Sequence, residues 1–293
     1  MKISLYFYTI SQYLKCLSVI QEADFVYLPY EYFLSGSTKS KGKTVYVAGP
    51  DSTISYNAED LSREKYFMTF PYILKGKTKT RFINDFGANT LCRHSYLLQN
   101  LGDITALQDL CKSHDYNIHA DYSFNVQNTK TMDVLYDMGF KSVTLSPELA
   151  TDKLLNLSTH AESDFLVNEK YTETVCYGRI ILMRSEHCYL SDEKGYKCGK
   201  CITDDEYSLK DDNGNVYPVL SNPTDCRSIL LDRAPYMIKN TDFLEKMRNM
   251  RSTILRLNIY DEDASTISAL IKYFKYGLSS SETDRIKPYC GRN

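Results

Sequence analysis

The sequence predicts an α/β fold built on a parallel sheet. Three observations carry this. The chain opens strand–helix–strand, with ISLYFYTI (3–10), a helical stretch at 11–20 and DFVYL at 24–28. A second unit repeats the alternation at 117–126, 129–138 and 141–145. A last strand, ILRLNI (254–259), and a last helix (263–276) follow a long cysteine-rich stretch. Alternating strands and helices require crossover connections, and these favour parallel pairing. Because α/β pattern lies on both sides of the cysteine stretch, residues 1–293 read as one domain with an insertion at 184–235.

Taken in order, Ser11 is the expected N-cap of the first helix, with Leu14, Leu17 and Val19 as apolar positions. Residues 35–43 read as a polar loop, 44–48 and 66–70 as strands, and 57–64 as a short helix. Residues 75–81 (KGKTKTR) carry four positive charges in seven positions. They read as a solvated loop, with a contact for phosphate or a partner as the sharper alternative. RFINDFGANTL reads as a short strand and 103–113 as a helix. Thr129 is the expected cap of the helix at 129–138, which Gly139 ends. SPEL (146–149) opens another helix, and DFLVN (164–168) and TVCYGRIILM (174–183) read as strands. DDNGN (211–215), between SL and VYPVL, is a hairpin signal.

The formal charge is −2, with 43% apolar residues. This excludes a global attraction to nucleic acid and leaves only local basic patches. The first twenty residues are interrupted by Ser4, Thr9, Ser11, Gln12 and Lys15, and read as a strand and a helix instead of a signal peptide. No apolar run reaches the roughly 18 residues of a membrane span. The expected setting is the cytoplasm, where thiols stay reduced and a cysteine cluster points to a metal or to catalysis. Cys16 and Cys111 read as core residues on apolar helix faces.

Five of nine cysteines fall in 173–229. Cys198 and Cys201 form a C-x-x-C pair whose Gly199 suits a tight knuckle. Nine residues separate Cys188 from the pair and 24 separate the pair from Cys226. Four thiolates suit zinc or an iron–sulfur cluster, and the spacing leaves both open. Asp121, Asn125 and Glu148 lie along or after strands, where an α/β barrel carries its chemistry. As structural residues, Asn125 and Asn128 stop a strand and cap a helix, and Glu148 complements a helix dipole. His119 and Asp121, two apart on a strand, share a face, the arrangement that a metal-type peptidase would use. A lone strand histidine is more often a satisfied core or surface residue.

DYSFNVQN (121–128) with GFKSVTLSPEL (139–149) resembles paired motifs of the collagenase-like peptidase family. Tyr177-Gly178-Arg179 with Leu182-Met183, then the cysteines, is similar to a second family motif. YSLKD…YPV (207–219) with Cys226-Arg227-Ser228 is similar to a third, and FINDFGA (82–88) is a weaker match. The match spans roughly 80–275, and the chain is most like the second half of longer members. The resemblance implies a (β/α) barrel of TIM type, complete or degenerate. It also implies a [4Fe–4S] cluster on Cys188, Cys198, Cys201 and Cys226. The activity it implies is prephenate-dependent or oxygen-independent hydroxylation of RNA or another large substrate. Asp121, Asn125 and Glu148 are then the candidate mouth residues, and Arg179 a bidentate contact for an anionic cosubstrate. Alternatives are a peptidase of unassigned or metal type, a structural zinc module, and a non-catalytic subunit partnered by another family member. The chain departs from the family pattern at Tyr189, Asp212-Asn213, Asp232 and its PYCGRN end.

Overall fold

The structure, a computed structural model, describes residues 1–30, 44–47, 53–56, 64–86, 95–111, 116–189, 207–222 and 227–277. Its strands are β1 (Lys2–Phe7), β2 (Phe25–Pro29), β3 (Thr44–Val47), β4 (Thr53–Tyr56) and β5 (Tyr66–Thr69). Next come β6 (Ser95–Leu98), β7 (Ile118–Ala120), β8 (Ser142–Thr144), β9 (Tyr171–Gly178) and β10 (Ile181–Ser185). The last are β11 (Tyr207–Lys210), β12 (Val216–Asn222), β13 (Arg227–Leu231), β14 (Tyr236–Met237) and β15 (Thr253–Ile259). The described α-helices are α1 (Ile10–Lys15), α2 (Gly76–Phe86), α3 (Leu101–Leu110), α4 (Thr129–Asp137), α5 (Thr151–Asn168), α6 (Thr241–Arg248) and α7 (Ala264–Tyr276).

Eight strands close a parallel barrel in the order β1-β2-β5-β6-β7-β8-β9-β15, with β15 pairing back onto β1. This is a (β/α)₈ barrel of TIM type. Its alternation is visible in β1. Ile3, Leu5 and Phe7 face outward into the layer shared with the helices, and all three are buried. Ser4 and Tyr6 face the barrel interior. One end of the interior is packed by Phe25, Phe67, Leu97 and Ile254. The polypeptide between β9 and β15 builds a separate antiparallel sheet in the order β10-β13-β12-β11. The β11–β12 hairpin turns at Asp211–Asn215, with Gly214 at φ +80°. Cys198, Cys201 and Cys226 lie outside the described residues, as do residues 57–63 of the expected helix at 57–64.

Four local expectations are corrected. Residues 76–86 form α2, not a loop followed by a strand. Lys and Arg are good helix formers, and Phe82 supplies a fully buried anchor. Residues 164–168 extend α5 instead of forming a strand. Leu166 and Val167 are solvent-exposed there, and the helix ends at Glu169 in the left-handed region, φ +48°. The caps sit earlier than expected. Thr9, not Ser11, accepts the Gln12 N–H, and Asn128, not Thr129, accepts the Thr131 N–H. The expected strand at 117–126 is shorter, because a 3₁₀ turn at Tyr122–Phe124 follows β7. Cys16 is a buried free thiol, and Cys111, expected to be reduced, is buried and disulfide-bonded. Among the described residues, no helix is long and apolar enough to cross a membrane.

Candidate functional site

The barrel interior is polar at mid-height. β15 presents Arg256, which is fully buried. Its guanidinium donates to Asp121 Oδ1 at 2.5 Å, to Thr144 Oγ1 at 2.9 Å and to the Glu173 carboxylate. Glu173, on β9, also accepts from Ser4 Oγ at 2.5 Å, Thr144 Oγ1 at 2.7 Å and Tyr27 OH at 3.0 Å. Five strands and the end of a sixth thus contribute to one cluster. Burial opposes the guanidinium charge, but the facing carboxylates of Glu173 and Asp121 hold its pKa well above the ordinary value. The hydroxyls of Ser4, Thr144 and Tyr27 supply the remaining donors to Glu173.

His119 lies beside this cluster. Its Nδ1 is 2.9 Å from Tyr27 OH and its ring is 4.1 Å from the Phe67 ring. Burial and the nearby Arg256 charge push its pKa well below the usual range, so the imidazole is neutral. His119 and Asp121 do share the interior face. Each has a different partner, and His119 is packed as a core residue.

Above the cluster, at the C-terminal ends of β1, β2, β5 and β6, a pocket of about 310 Å³ opens toward the four-stranded sheet. Tyr6, Tyr8, Tyr30, Phe70 and Tyr72 give it aromatic walls, and Arg184 and Arg227 are its cations. Burial pushes the Tyr6 and Tyr8 hydroxyls up, beyond any titration near neutral pH. Arg184 Nη1 donates to Gln99 Oε1 at 2.6 Å, and the guanidinium lies 3.7 Å from the Tyr72 ring centroid. Gln99 is fixed in turn. Its N–H donates to Asp103 Oδ2 at 2.8 Å, and its carbonyl accepts from Ser123 Oγ at 2.7 Å. Ser123 Oγ also lies 3.2 Å from Asp121 Oδ2. Burial raises the Asp103 pKa to about 6, against the pull of the Gln99 and Asn100 N–H groups.

The four mouth candidates are not brought together in this pocket. Asp121 is buried beneath it as a counterion of Arg256. Asn125 is exposed, in the left-handed region at φ +51°, and accepts from Gln127. Glu148 is exposed just beyond β8. Arg179 follows β9 directly. Its Nη1 donates to the carbonyls of Asp232 at 2.9 Å and Arg233 at 2.5 Å, and its Nη2 is 3.5 Å from Asp261 Oδ2. Behind it, Gly178 adopts φ +113°, and a Cβ there would lie 2.1 Å from the Asn258 carbonyl oxygen. The residues missed from sequence are Arg256, Glu173, Thr144 and Arg184. For Arg256 the available signal was a charged residue inside a largely apolar strand.

Cys188 is buried and outside any disulfide, just beyond β10. The next residue ties this point to β13, with the Tyr189 N–H donating to Ser228 Oγ at 3.2 Å. Ser185 pairs with Ser228, Asn222 with Arg227, and Tyr207 with Val219. The strand ends that flank 186–206 and 223–226 therefore lie at one end of the sheet. All four candidate cysteines fall within those two connections. Ser185, Arg227 and Ser228, at the same end, border the pocket. Among the described residues, no group of three or more His, Cys, Asp or Glu side chains is arranged to hold a metal.

Residues 95–273 match the model of peptidase family U32. That span runs from β6 into α7 and leaves β1, β2 and β5 outside it. No curated protein and no solved structure matches the chain.

Proposed function

Because the chain belongs to peptidase family U32, the collagenase-like family, we propose that it is a cytoplasmic barrel protein holding a [4Fe–4S] cluster on Cys188, Cys198, Cys201 and Cys226. We propose further that it takes part in prephenate-dependent or oxygen-independent hydroxylation of RNA or another large substrate. The observation that carries this reading is that the strand ends flanking the cysteine-bearing stretches lie at the end of the sheet that borders the barrel-mouth pocket. Four thiols are a fitting donor set for the cluster, which supplies one-electron chemistry when bound.

In this reading the described residues have separate duties. Aromatic walls and the overlying sheet exclude water from the pocket. Asp121 and Glu173 neutralise Arg256 and keep the barrel floor rigid. Arg179 closes the β9 end by holding the 232–233 backbone, and its charge faces an anionic cosubstrate. Asn125 and Glu148, both exposed, meet the large substrate at the rim. Lys75, which pairs with Glu186 at 2.6 Å, and exposed Lys79 lie just past the pocket residues Tyr72 and Ile73 and offer phosphate contacts. The peptidase alternative gains nothing from His119, whose ring is buried and engaged by Tyr27.

The test is anaerobic purification with iron, sulfide and zinc quantified for the wild type and for Cys201→Ser. About four irons and four sulfides per chain are expected, with most lost in the variant. A colourless protein holding one zinc and no sulfide overturns the reading in favour of a structural zinc module. Copurification with a second member of the family assigns the chain to a heteromer.

A further inference from the structure

One wall of the mouth pocket is gripped by the residues that flank the candidate cysteines. After β5 the chain passes through Tyr72 and Ile73, which both line the pocket, to Lys75 and the start of α2. Arg227 Nη1 donates to the Ile73 carbonyl at 2.5 Å. Glu186 Oε2 is 2.6 Å from Lys75 Nζ, and its Oε1 is 3.7 Å from Arg227 Nη2. The Arg184 guanidinium adds to the hold, 3.7 Å from the Tyr72 ring centroid.

The position of these groups in the chain matters. Glu186 stands two residues before Cys188, and Arg227 follows Cys226 directly. Ser185 pairs with Ser228 in antiparallel register, which sets Glu186 opposite Arg227. The two side chains that reach the pocket wall are therefore the ones nearest in sequence to the first and last cysteines of the set. Their contacts differ in strength. The Arg227 side chain is 15% exposed and makes a charge-assisted bond to a carbonyl, whereas Lys75 and Glu186 are 65% and 43% exposed.

We infer that Glu186, Arg227 and Lys75 form a clamp that couples metal binding at the cysteines to the order of the pocket wall. Gathering four thiolates on one metal site fixes the chain at Cys188 and Cys226. Fixing those points also fixes the side chains that hold Ile73 and Lys75. The wall is then set when metal is bound and loose when it is not, so the cysteine site regulates the pocket. Coupling of this kind is reciprocal, and the clamp in turn helps to retain the metal. The inference rests on the proposed cysteine site but holds for zinc as well as for an iron–sulfur cluster.

Hydrogen exchange of the full chain, read by mass spectrometry, tests the coupling. Stripped protein is loaded with Zn²⁺ alone, or with iron and sulfide under anaerobic conditions, and metal is quantified in each sample. Exchange in the 70–76 peptide is expected to slow about tenfold on loading, the worth of one hydrogen bond to a charged group, while the α4 peptide is unchanged. Arg227→Gln should remove most of that slowing and weaken zinc binding by a similar factor, although Arg227 is not a ligand. Lys75→Gln, far in sequence from every cysteine of the set, should do the same by about twofold, as befits an exposed pair. A merely local disturbance beside Cys226 would not reproduce that second effect. Equal exchange in stripped and loaded wild type, with metal bound, overturns the inference. So does a zinc affinity that both variants leave unchanged. A chain that takes up neither zinc nor iron refutes the cysteine site, and the coupling with it, and the metal analysis reports that failure separately from the exchange data.

Discussion

Arg256→Met removes the only cation of the barrel interior cluster while nearly preserving side-chain volume. Asp121 and Glu173 remain, 1% and 0% exposed, with their negative charges unanswered. Three hydrogen bonds disappear, two of them to carboxylates. Removing one partner of a buried ion pair costs about 3–5 kcal/mol, because the remaining charge stays desolvated. A loss of about 4 kcal/mol at pH 8 is therefore expected, measured by urea denaturation. Glu173→Gln added to the variant should recover part of the loss, because it removes one of the two carboxylates left without a counterion. A deficit under about 1 kcal/mol at pH 8, or no recovery when Glu173→Gln is added, refutes the view of Arg256 as the counterion of both acids.

Three further outcomes are expected. His119 has a depressed folded pKa, so its contribution is present above the unfolded value of about 6.5 and is lost as pH falls below it. His119→Phe should flatten the stability profile between about pH 5 and pH 6.5, and identical wild-type and variant slopes would contradict a neutral buried ring. Gly178→Ala places a Cβ on the Asn258 carbonyl at a backbone angle L-residues avoid, so a loss of about 3 kcal/mol or more, or insoluble protein on expression, is expected. Asn128→Ala should cost about 1 kcal/mol in thermal denaturation by uncapping α4, whereas Thr129→Ala should cost little.

Strand positions were largely legible because parallel barrel strands are short runs bounded by turn signals. ILRLNI and the Phe25 strand show this plainly. β6 (SYLL) was not read, since four residues buried on both faces carry no alternation. α2 was hidden by its charge, which looks the same in a solvated helix and a loop. Asp121 was visible as a polar residue at a strand end, but its role was not. Its partner Arg256 lies 135 positions away. A lone arginine in an apolar strand gives no sign of facing inward until the register is known, because one step of slip reverses every side chain. The pocket was unreadable for the same reason. Its walls come from the ends of four barrel strands and from a sheet inserted much later in the chain.

The barrel closes by pairing its first strand with its last, and this sets an order of events during synthesis. β1 finishes at Phe7, but its second hydrogen-bonding edge waits for Thr253–Ile259. At ribosomal speeds the interval is roughly 12–50 s. Through that time the nascent chain holds an open parallel edge. Asp121 and Glu173 have also emerged before the cation that neutralises them. The strand that seals the ring is the one that carries Arg256, so closure and charge balance arrive together, and neither is complete without the other.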